Sequence, residues 1–99
     1  MTVPEPDPTR ACYGYVVLLW KPDGTIGFYV GQSALPPEER FAQHRTGTRA
    51  SRHVRKWGQH LLPELYERHN PMTRAEAEAW ERETAERLKG QVCWVEGGH

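Results

Sequence analysis

Two runs of apolar and β-branched residues near the start of the chain predict a β-hairpin. The run at 12–20, CYGYVVLLW, is rich in strand-forming side chains, and the run at 26–31, IGFYVG, alternates between two faces. The segment between them, KPDGT, contains a proline that presets φ and an Asp-Gly pair that favours chain reversal. In the second strand Tyr29 shares a face with Gly27 and Gly31, which predicts open space beside its ring.

The middle of the chain predicts two helices and a weaker strand. A first helix is predicted from the prolines at 36 and 37 to a cap at Gly47, because proline suits a first turn and the following glutamates suit its positive end. A shorter helix is predicted at 50–57, ASRHVRKW. The run at 60–66, HLLPELY, predicts an edge strand, because its proline has no N–H group to donate to a neighbour.

The last helix has the clearest signature in the sequence. Thr73 and Glu76 have the spacing of a capping box, and Gly90 suits the C-terminal cap. At a rotation of about 100° per residue around the helix, five residues fall on one stripe that is predicted to be buried. They are Ala77, Trp80, Thr84, Ala85 and Leu88. A short final strand is predicted at 92–95, VCWV.

Length and composition predict one small folded domain. The 99 residues leave room for a single core, at 11–96, between a proline-rich tail at 1–10 and a short tail at 97–99. Four tryptophans and four tyrosines argue against disorder. No apolar run approaches the length of a spanning helix and the N-terminus does not resemble a signal peptide, so we expect a cytoplasmic protein that does not enter a membrane. Two cysteines are too few for a disulfide framework or a four-cysteine zinc site.

The charges are balanced overall but unevenly distributed. The 13 basic and 13 acidic residues cancel, so a general electrostatic attraction to nucleic acid is not implied. Six of the basic residues nevertheless lie between positions 40 and 56, and no acidic residue occurs from 41 to 63. Backbone phosphate contacts are therefore predicted for Arg45, Arg49, Arg52, Arg55 and Lys56. The alternative is an ordinary solvated helical face, and for the adjacent Trp57 we expect packing into the core.

Three residues on the two longer helices are candidates for chemistry. Glu81 falls in the middle of the apolar stripe, and a buried carboxylate needs a basic side chain, a metal or a cleft as its partner. Arg40 and His44 are one turn apart on the same flank of the first helix. A guanidinium grips phosphate oxygens, and an imidazole donates or carries a proton. The alternative for Glu81 is a salt bridge at the edge of the core. The alternative for Arg40 and His44 is that their spacing on an exposed helix is incidental.

The order of these motifs resembles the GIY-YIG nuclease superfamily, as a small stand-alone domain. The two tyrosine motifs read Gly14-Tyr15-Val16 and Tyr29-Val30-Gly31, and they are followed by RFAQH at 40–44 and TRAEAEAWE at 73–81. The likeness covers about residues 13–89. The chain departs from the family at Gln32, where many members carry a basic residue, and it has no asparagine beyond the last helix.

The resemblance implies a fold and an activity. The fold is α/β (α+β), with a small three-stranded antiparallel sheet flanked by helices. The activity is metal-dependent endonucleolytic hydrolysis of nucleic-acid phosphodiesters, of DNA rather than RNA, directed by structure rather than by sequence. A protein partner that supplies specificity is the alternative to recognition of nucleic-acid structure by the chain itself. The alternatives are a catalytically weak nucleic-acid-binding module and a protein-interaction module on the same fold.

The resemblance also assigns roles to residues. Glu81 would hold Mg²⁺ or Mn²⁺, with water and phosphate oxygens as the other ligands. Arg40 would stabilise charge on the phosphate. Either Tyr15 or Tyr29 would position or deprotonate the attacking water, and the sequence leaves that choice open. His44 would share the proton relay or contact the phosphate.

Overall fold

A computed structural model describes residues 9–46 and 52–97. Most of the predicted N-terminal tail, the predicted cap at Gly47 and the candidate Arg49 therefore lie outside the described residues. The strands and helices are, in chain order, β1 (Tyr13–Trp20), β2 (Ile26–Ser33), α1 (Pro37–Thr46), α2 (Arg52–Trp57), β3 (Gly58–Leu61), two 3₁₀ turns (Pro63–Leu65 and Glu67–His69), α3 (Arg74–Leu88) and β4 (Trp94–Gly97).

The sheet has four strands and is mixed, so the predicted α+β class is confirmed and the predicted three-stranded antiparallel sheet is wrong. The strand order is β3-β1-β2-β4. Strand β1 is antiparallel to both β2 and β3, whereas β4 runs parallel to β2. A parallel neighbour needs a crossover connection, and α3 supplies one immediately before β4. Local patterning contains no signal for such a long-range pairing.

The predicted hairpin is confirmed and is slightly longer than expected. β1 and β2 pair without a break from Tyr13 opposite Ser33 to Trp20 opposite Ile26. In the turn, the Asp23 carboxylate accepts a hydrogen bond from the Thr25 N–H at 2.9 Å. Gly24 has a φ of 89°, a conformation that residues with a Cβ rarely adopt.

The predicted edge strand is right in kind but wrong in its bounds. β3 lies at the edge of the sheet and begins at Gly58, directly after α2. It ends at Leu61, because Pro63 lacks an N–H group for a strand ladder and begins a 3₁₀ turn instead. The final strand, β4, lies two residues further along than the predicted 92–95.

Helix α3 has the predicted cap and buries the predicted stripe. The Thr73 hydroxyl accepts from the Glu76 N–H at 3.1 Å, and the Glu76 carboxylate accepts from the Thr73 N–H at 2.9 Å. The buried residues of this helix are Ala77, Trp80, Glu81, Thr84, Ala85 and Leu88. No helix within 9–46 and 52–97 is long and apolar enough to cross a membrane.

The two faces of the sheet carry different helices. The Trp80 ring of α3 lies against the backbone of Gly14, on one face, where a Cβ would collide with the ring. Because side chains alternate along a strand, the ring of Tyr15 points to the other face. That other face is covered by α1 and α2, which also pack against each other. We call it the α1 face.

Candidate active site

A hydrogen bond between two buried polar side chains forms the centre of the candidate site. The Tyr15 hydroxyl, on β1, and Nε2 of His44, on α1, are 2.8 Å apart. Tyr15 is 2% exposed and His44 is fully buried. Tyr15 lies in the core together with the hydrophobic residues of β1, and α1 packs His44 against it. The sequence alone placed these residues on separate elements, and the fold brings them into contact.

Tyr29 on β2 completes an aromatic triangle with this pair. Its ring centroid is 6.0 Å from that of Tyr15 and 5.7 Å from that of His44. A Cβ at Gly31 would lie 2.7 Å from the Tyr15 hydroxyl oxygen and 2.9 Å from Cε1 of Tyr29, so any side chain here would displace one of these rings. The predicted open space beside Tyr29 is therefore filled, by Tyr15 at Gly31 and by the Trp94 ring at Gly27.

Arg40 places a positive charge beside the two tyrosines. It is half-buried on α1, one turn before His44, and its guanidinium donates to Oε1 of Gln43 at 2.9 Å. It also lies within hydrogen-bonding reach of the Tyr15 hydroxyl, as does Tyr29. A guanidinium has several N–H donors, so Arg40 can bind an incoming phosphate while it keeps these contacts.

Burial keeps the central pair uncharged. Loss of solvation, followed by the negative charge of an ionised Tyr29, raises the pKa of Tyr15 well above its usual range, and Arg40 offsets only part of that shift. Burial first, and the positive charge of Arg40 second, lower the pKa of His44 to about 4. At neutral pH the phenol of Tyr15 therefore retains its proton, and the neutral imidazole has one nitrogen that can accept a hydrogen bond.

Glu81 is buried, as predicted, and it is carried by α3. It is 6% exposed and lies next to Trp80 on that helix. The structure gathers Tyr15, Tyr29, Arg40 and His44 on the α1 face.

The donors available for a metal are few. Within the residues that the structure describes, no three His, Cys, Asp or Glu side chains lie close enough together to hold a metal. A metal held by Glu81 would thus have water and phosphate oxygens as most of its ligands. Mg²⁺ commonly binds through one or two carboxylates in this way, so the donor set suits Mg²⁺ or Mn²⁺ rather than zinc.

The predicted phosphate-contacting residues that the structure describes are all exposed. Arg45 is exposed at the end of α1, and Arg52, Arg55 and Lys56 are exposed on α2. Trp57 is half-buried and packs against the core, which confirms its expected role, with its ring edge-on to Trp94.

Two residues that the sequence analysis did not select have specific roles in this region. The Asn70 side chain accepts from the Gly14 N–H at 2.9 Å and donates to the Gly14 carbonyl at 2.8 Å. Asn70 therefore holds the backbone next to Tyr15. Tyr66 is buried, with its hydroxyl close to no partner among the residues described. The one sequence feature that could have drawn attention to Asn70 is that it is the chain's only asparagine.

Comparison of the chain with protein-family models, with curated proteins and with solved structures gives no match. The chemistry of the candidate site is therefore argued from its own geometry.

Proposed function

We propose that the protein is a metal-dependent endonuclease that hydrolyses phosphodiester bonds in DNA. The observation that carries this proposal is the hydrogen-bonded Tyr15–His44 pair, with Tyr29 and Arg40 beside it. Phosphodiester hydrolysis needs an oriented water, a route for its proton and positive charge near the phosphate. These four side chains offer all three within one cluster, and they occupy the positions of the family motifs that the sequence resembles.

The two tyrosines differ in solvent exposure, which suits them to different roles. Tyr29 is half-buried, whereas Tyr15 is 2% exposed, so Tyr29 is the phenol that can contact an attacking water. Tyr15 is then a positioning residue between Tyr29 and His44. When a phosphate oxygen pairs with Arg40, its negative charge offsets the effect of the guanidinium on His44. The imidazole then accepts a proton more readily, so substrate binding itself prepares the relay.

Glu81 would hold the metal, and the donor chemistry fits Mg²⁺ or Mn²⁺. Such an ion stabilises charge on the phosphate and lowers the pKa of a bound water. The exposed arginines of α1 and α2 would contact the backbone, which carries no sequence information, so recognition would follow DNA structure.

A cleavage panel tests this proposal. Supercoiled plasmid, single-stranded, flap and branched DNA, and RNA, are incubated with the protein in Mn²⁺, in Mg²⁺ and in EDTA. We expect metal-dependent cleavage of DNA that Arg40→Gln and Glu81→Gln each reduce by about 100-fold or more, while the exposed Arg82→Gln retains wild-type rates. Folded wild-type protein that cleaves no substrate, or equal rates for all variants, would contradict the proposal.

A second candidate is a module that binds nucleic acid and cleaves it weakly. It is favoured by the raised pKa of Tyr15, which opposes movement of a proton from Tyr15 to His44, and by Gln32, a neutral residue directly after the second tyrosine motif. This alternative predicts binding by the wild-type protein in EDTA that is unchanged by Glu81→Gln, with no products in the same cleavage panel.

A further inference from the structure

Two tryptophan rings and a lysine ammonium meet where the hairpin turn, α2 and β4 come together. The rings of Trp57 and Trp94 are 6.4 Å apart between centroids and nearly perpendicular, at 89°. The Lys21 ammonium lies over both rings, 4.9 Å from the centroid of Trp57 and 4.5 Å from that of Trp94. We call these three residues the tryptophan corner. None of them is assigned a role in the candidate active site.

The tryptophan corner lies on the same face of the sheet as the candidate site. Trp94 on β4 pairs with Gly27 on β2, and its ring lies against the backbone of Gly27, where a Cβ would collide with it. Gly27 and Tyr29 are two residues apart on one strand, so they share a face and their Cα atoms are about 7 Å apart. Two stacked nucleotide steps span about the same length, because neighbouring nucleotides are about 3.4 Å apart. A strand with a phosphate at Tyr29 can therefore place a nearby base at Trp94.

The lysine in the corner can leave it without disturbing the fold. The backbone of Lys21 is fixed by the turn, since its N–H donates to the Thr25 carbonyl and its carbonyl accepts from the Gly24 N–H, each at 2.9 Å. Its side chain is a flexible four-carbon stem that ends over the rings. Trp57 and Trp94 are both half-buried, so part of each ring is already accessible. A change of the Lys21 rotamer would therefore open more of the two rings.

The charges around the corner favour a flat ligand that carries negative charge. The Lys56 ammonium also lies over Trp57, at 5.2 Å, so a cationic ligand would meet two lysines and be repelled. The acids of this region have partners of their own: Asp23 accepts from a backbone N–H of its turn, and Glu96 lies 3.5 Å from Nε2 of His53. A base can stack on an indole ring while its phosphate pairs with the displaced ammonium. These requirements describe a nucleotide.

We propose that the tryptophan corner binds an unpaired base of the nucleic-acid strand whose phosphodiester lies at Tyr29 and Arg40. The base stacks on Trp94, and Lys21 leaves the rings and pairs with a phosphate of the same strand. The inference rests on the proposed function for the identity of the polymer. Stacking does not distinguish the bases, because each has an aromatic face, so the corner selects unpaired DNA next to the cleaved bond rather than a sequence.

The indole signals of the four tryptophans test the corner without catalysis. The ¹H–¹⁵N NMR spectrum of the full chain is titrated in EDTA with octathymidylate. We expect the indole N–H signals of Trp57 and Trp94 to shift most. Trp20 is the matched control, because it is 52% exposed and strand alternation turns its ring to the opposite face of the sheet. A strand that stacked on any accessible ring would choose Trp20 instead.

Affinity for the same oligonucleotide separates stacking from packing. Trp94→Leu removes the aromatic face and should weaken binding about tenfold or more, whereas Trp94→Phe keeps a flat ring and should weaken it less than about threefold. Trp20→Leu should change the affinity less than about twofold. Lys21→Gln should lower the slope of log K against log salt concentration by about 0.7, the value for one phosphate contact with a single strand. Thermal unfolding of each variant checks that it is folded, and the wild-type indole shifts need no variant.

Four results would overturn the proposal. The first is binding of octathymidylate without shifts at Trp57 and Trp94, or no binding at all. The second is an equal loss of affinity in folded Trp94→Leu and Trp94→Phe. The third is binding of thymidine monophosphate as tight as that of octathymidylate, which would identify a free nucleotide as the ligand. The fourth is tighter binding of trimethyl-lysine amide than of octathymidylate, which would identify the corner as a cage for cations.

Cleavage of matched substrates separates this inference from the proposed function. A flap with an unpaired strand and a fully paired duplex of the same sequence are incubated with the protein in Mn²⁺. We expect the wild-type protein to cleave the flap at least about tenfold faster, and Trp94→Leu to reduce that preference. Equal cleavage of both substrates by the wild type would overturn the corner and leave the endonuclease standing. Indole shifts at Trp57 and Trp94 without cleavage of any DNA would support the corner and count against the endonuclease.

Discussion

His44 and Tyr15 are buried polar residues whose neutral forms are favoured by burial in the folded structure. The positive charge of Arg40 acts on both side chains. In the unfolded chain the imidazole would titrate at its ordinary pKa of 6.5, whereas in the folded protein its pKa falls to about 4. This difference links the stability of the fold to pH.

We predict a loss of stability on acidification that is specific to His44. Between pH 6.5 and about 4 the unfolded chain binds a proton that the folded protein excludes, so the free energy of unfolding falls as the pH falls. The loss should approach about 3 kcal/mol at pH 4, since each pKa unit corresponds to about 1.4 kcal/mol. Urea unfolding at pH 7.5 and pH 4 measures it.

The comparison with variants isolates this contribution from the carboxylates, which also titrate in acid. His44→Gln, which retains a hydrogen-bonding group, should show a smaller change in unfolding free energy between the two pH values. His69→Gln removes an exposed histidine and should follow the wild type. A pH dependence that is identical in all three proteins would show that His44 is not held neutral by burial.

Most of the candidate cluster could be selected from sequence, because the two tyrosine motifs and the i,i+4 pair Arg40 and His44 are local patterns. Asn70 and Tyr66 could not be selected. The contact of Asn70 with Gly14 spans 56 residues, and the burial of Tyr66 depends on how several separate segments meet. No periodicity or motif encodes such contacts.

At the scale of elements, the hairpin and α3 follow from local signals, since each has its own turn or cap. The pairing of β4 with β2 does not, because it depends on the crossover that α3 makes. The hydrogen bonding at the start of β1 also depends on a contact between distant parts of the chain. β3 pairs with β1 only at Val17, Leu18 and Leu19, so the outer edge of Gly14 has no strand beside it. The Asn70 amide takes the place of that strand.

We predict that Asn70 stabilises β1 next to Tyr15. Asn70→Ala leaves the part-buried N–H and carbonyl of Gly14 without their partner, and should lower the free energy of unfolding by about 1–3 kcal/mol. Asn70→Asp keeps an acceptor for the N–H but places a carboxylate against the carbonyl, so it should also destabilise. Urea unfolding gives the size of each effect. A change below about 0.5 kcal/mol for both variants would mean that water replaces the amide without cost.

The neutral net charge of the whole molecule conceals an asymmetric surface. Arg52, Arg55 and Lys56 are exposed on α2, which covers the same face of the sheet as the candidate site. Arg82 and Arg87 are exposed on α3, which covers the opposite face, and they line a shallow depression together with two glutamates. The α2 cations are therefore the ones that we expect a nucleic-acid strand at Arg40 to contact, whereas the α3 arginines have acidic neighbours.

We predict that DNA binding depends on salt through the α2 cations. Each phosphate contact that is lost should reduce the slope of log K against log salt concentration by about 0.9 for duplex DNA. The variant with Arg52, Arg55 and Lys56 all changed to Gln should thus lose about 2.7 from that slope. Changing both Arg82 and Arg87 to Gln removes positive charge from the other face and should leave the slope nearly unchanged. Fluorescence anisotropy at several salt concentrations in EDTA measures the slopes. Equal losses in the two variants would show that binding follows net charge, in which case the α1 face would have no special part in holding DNA.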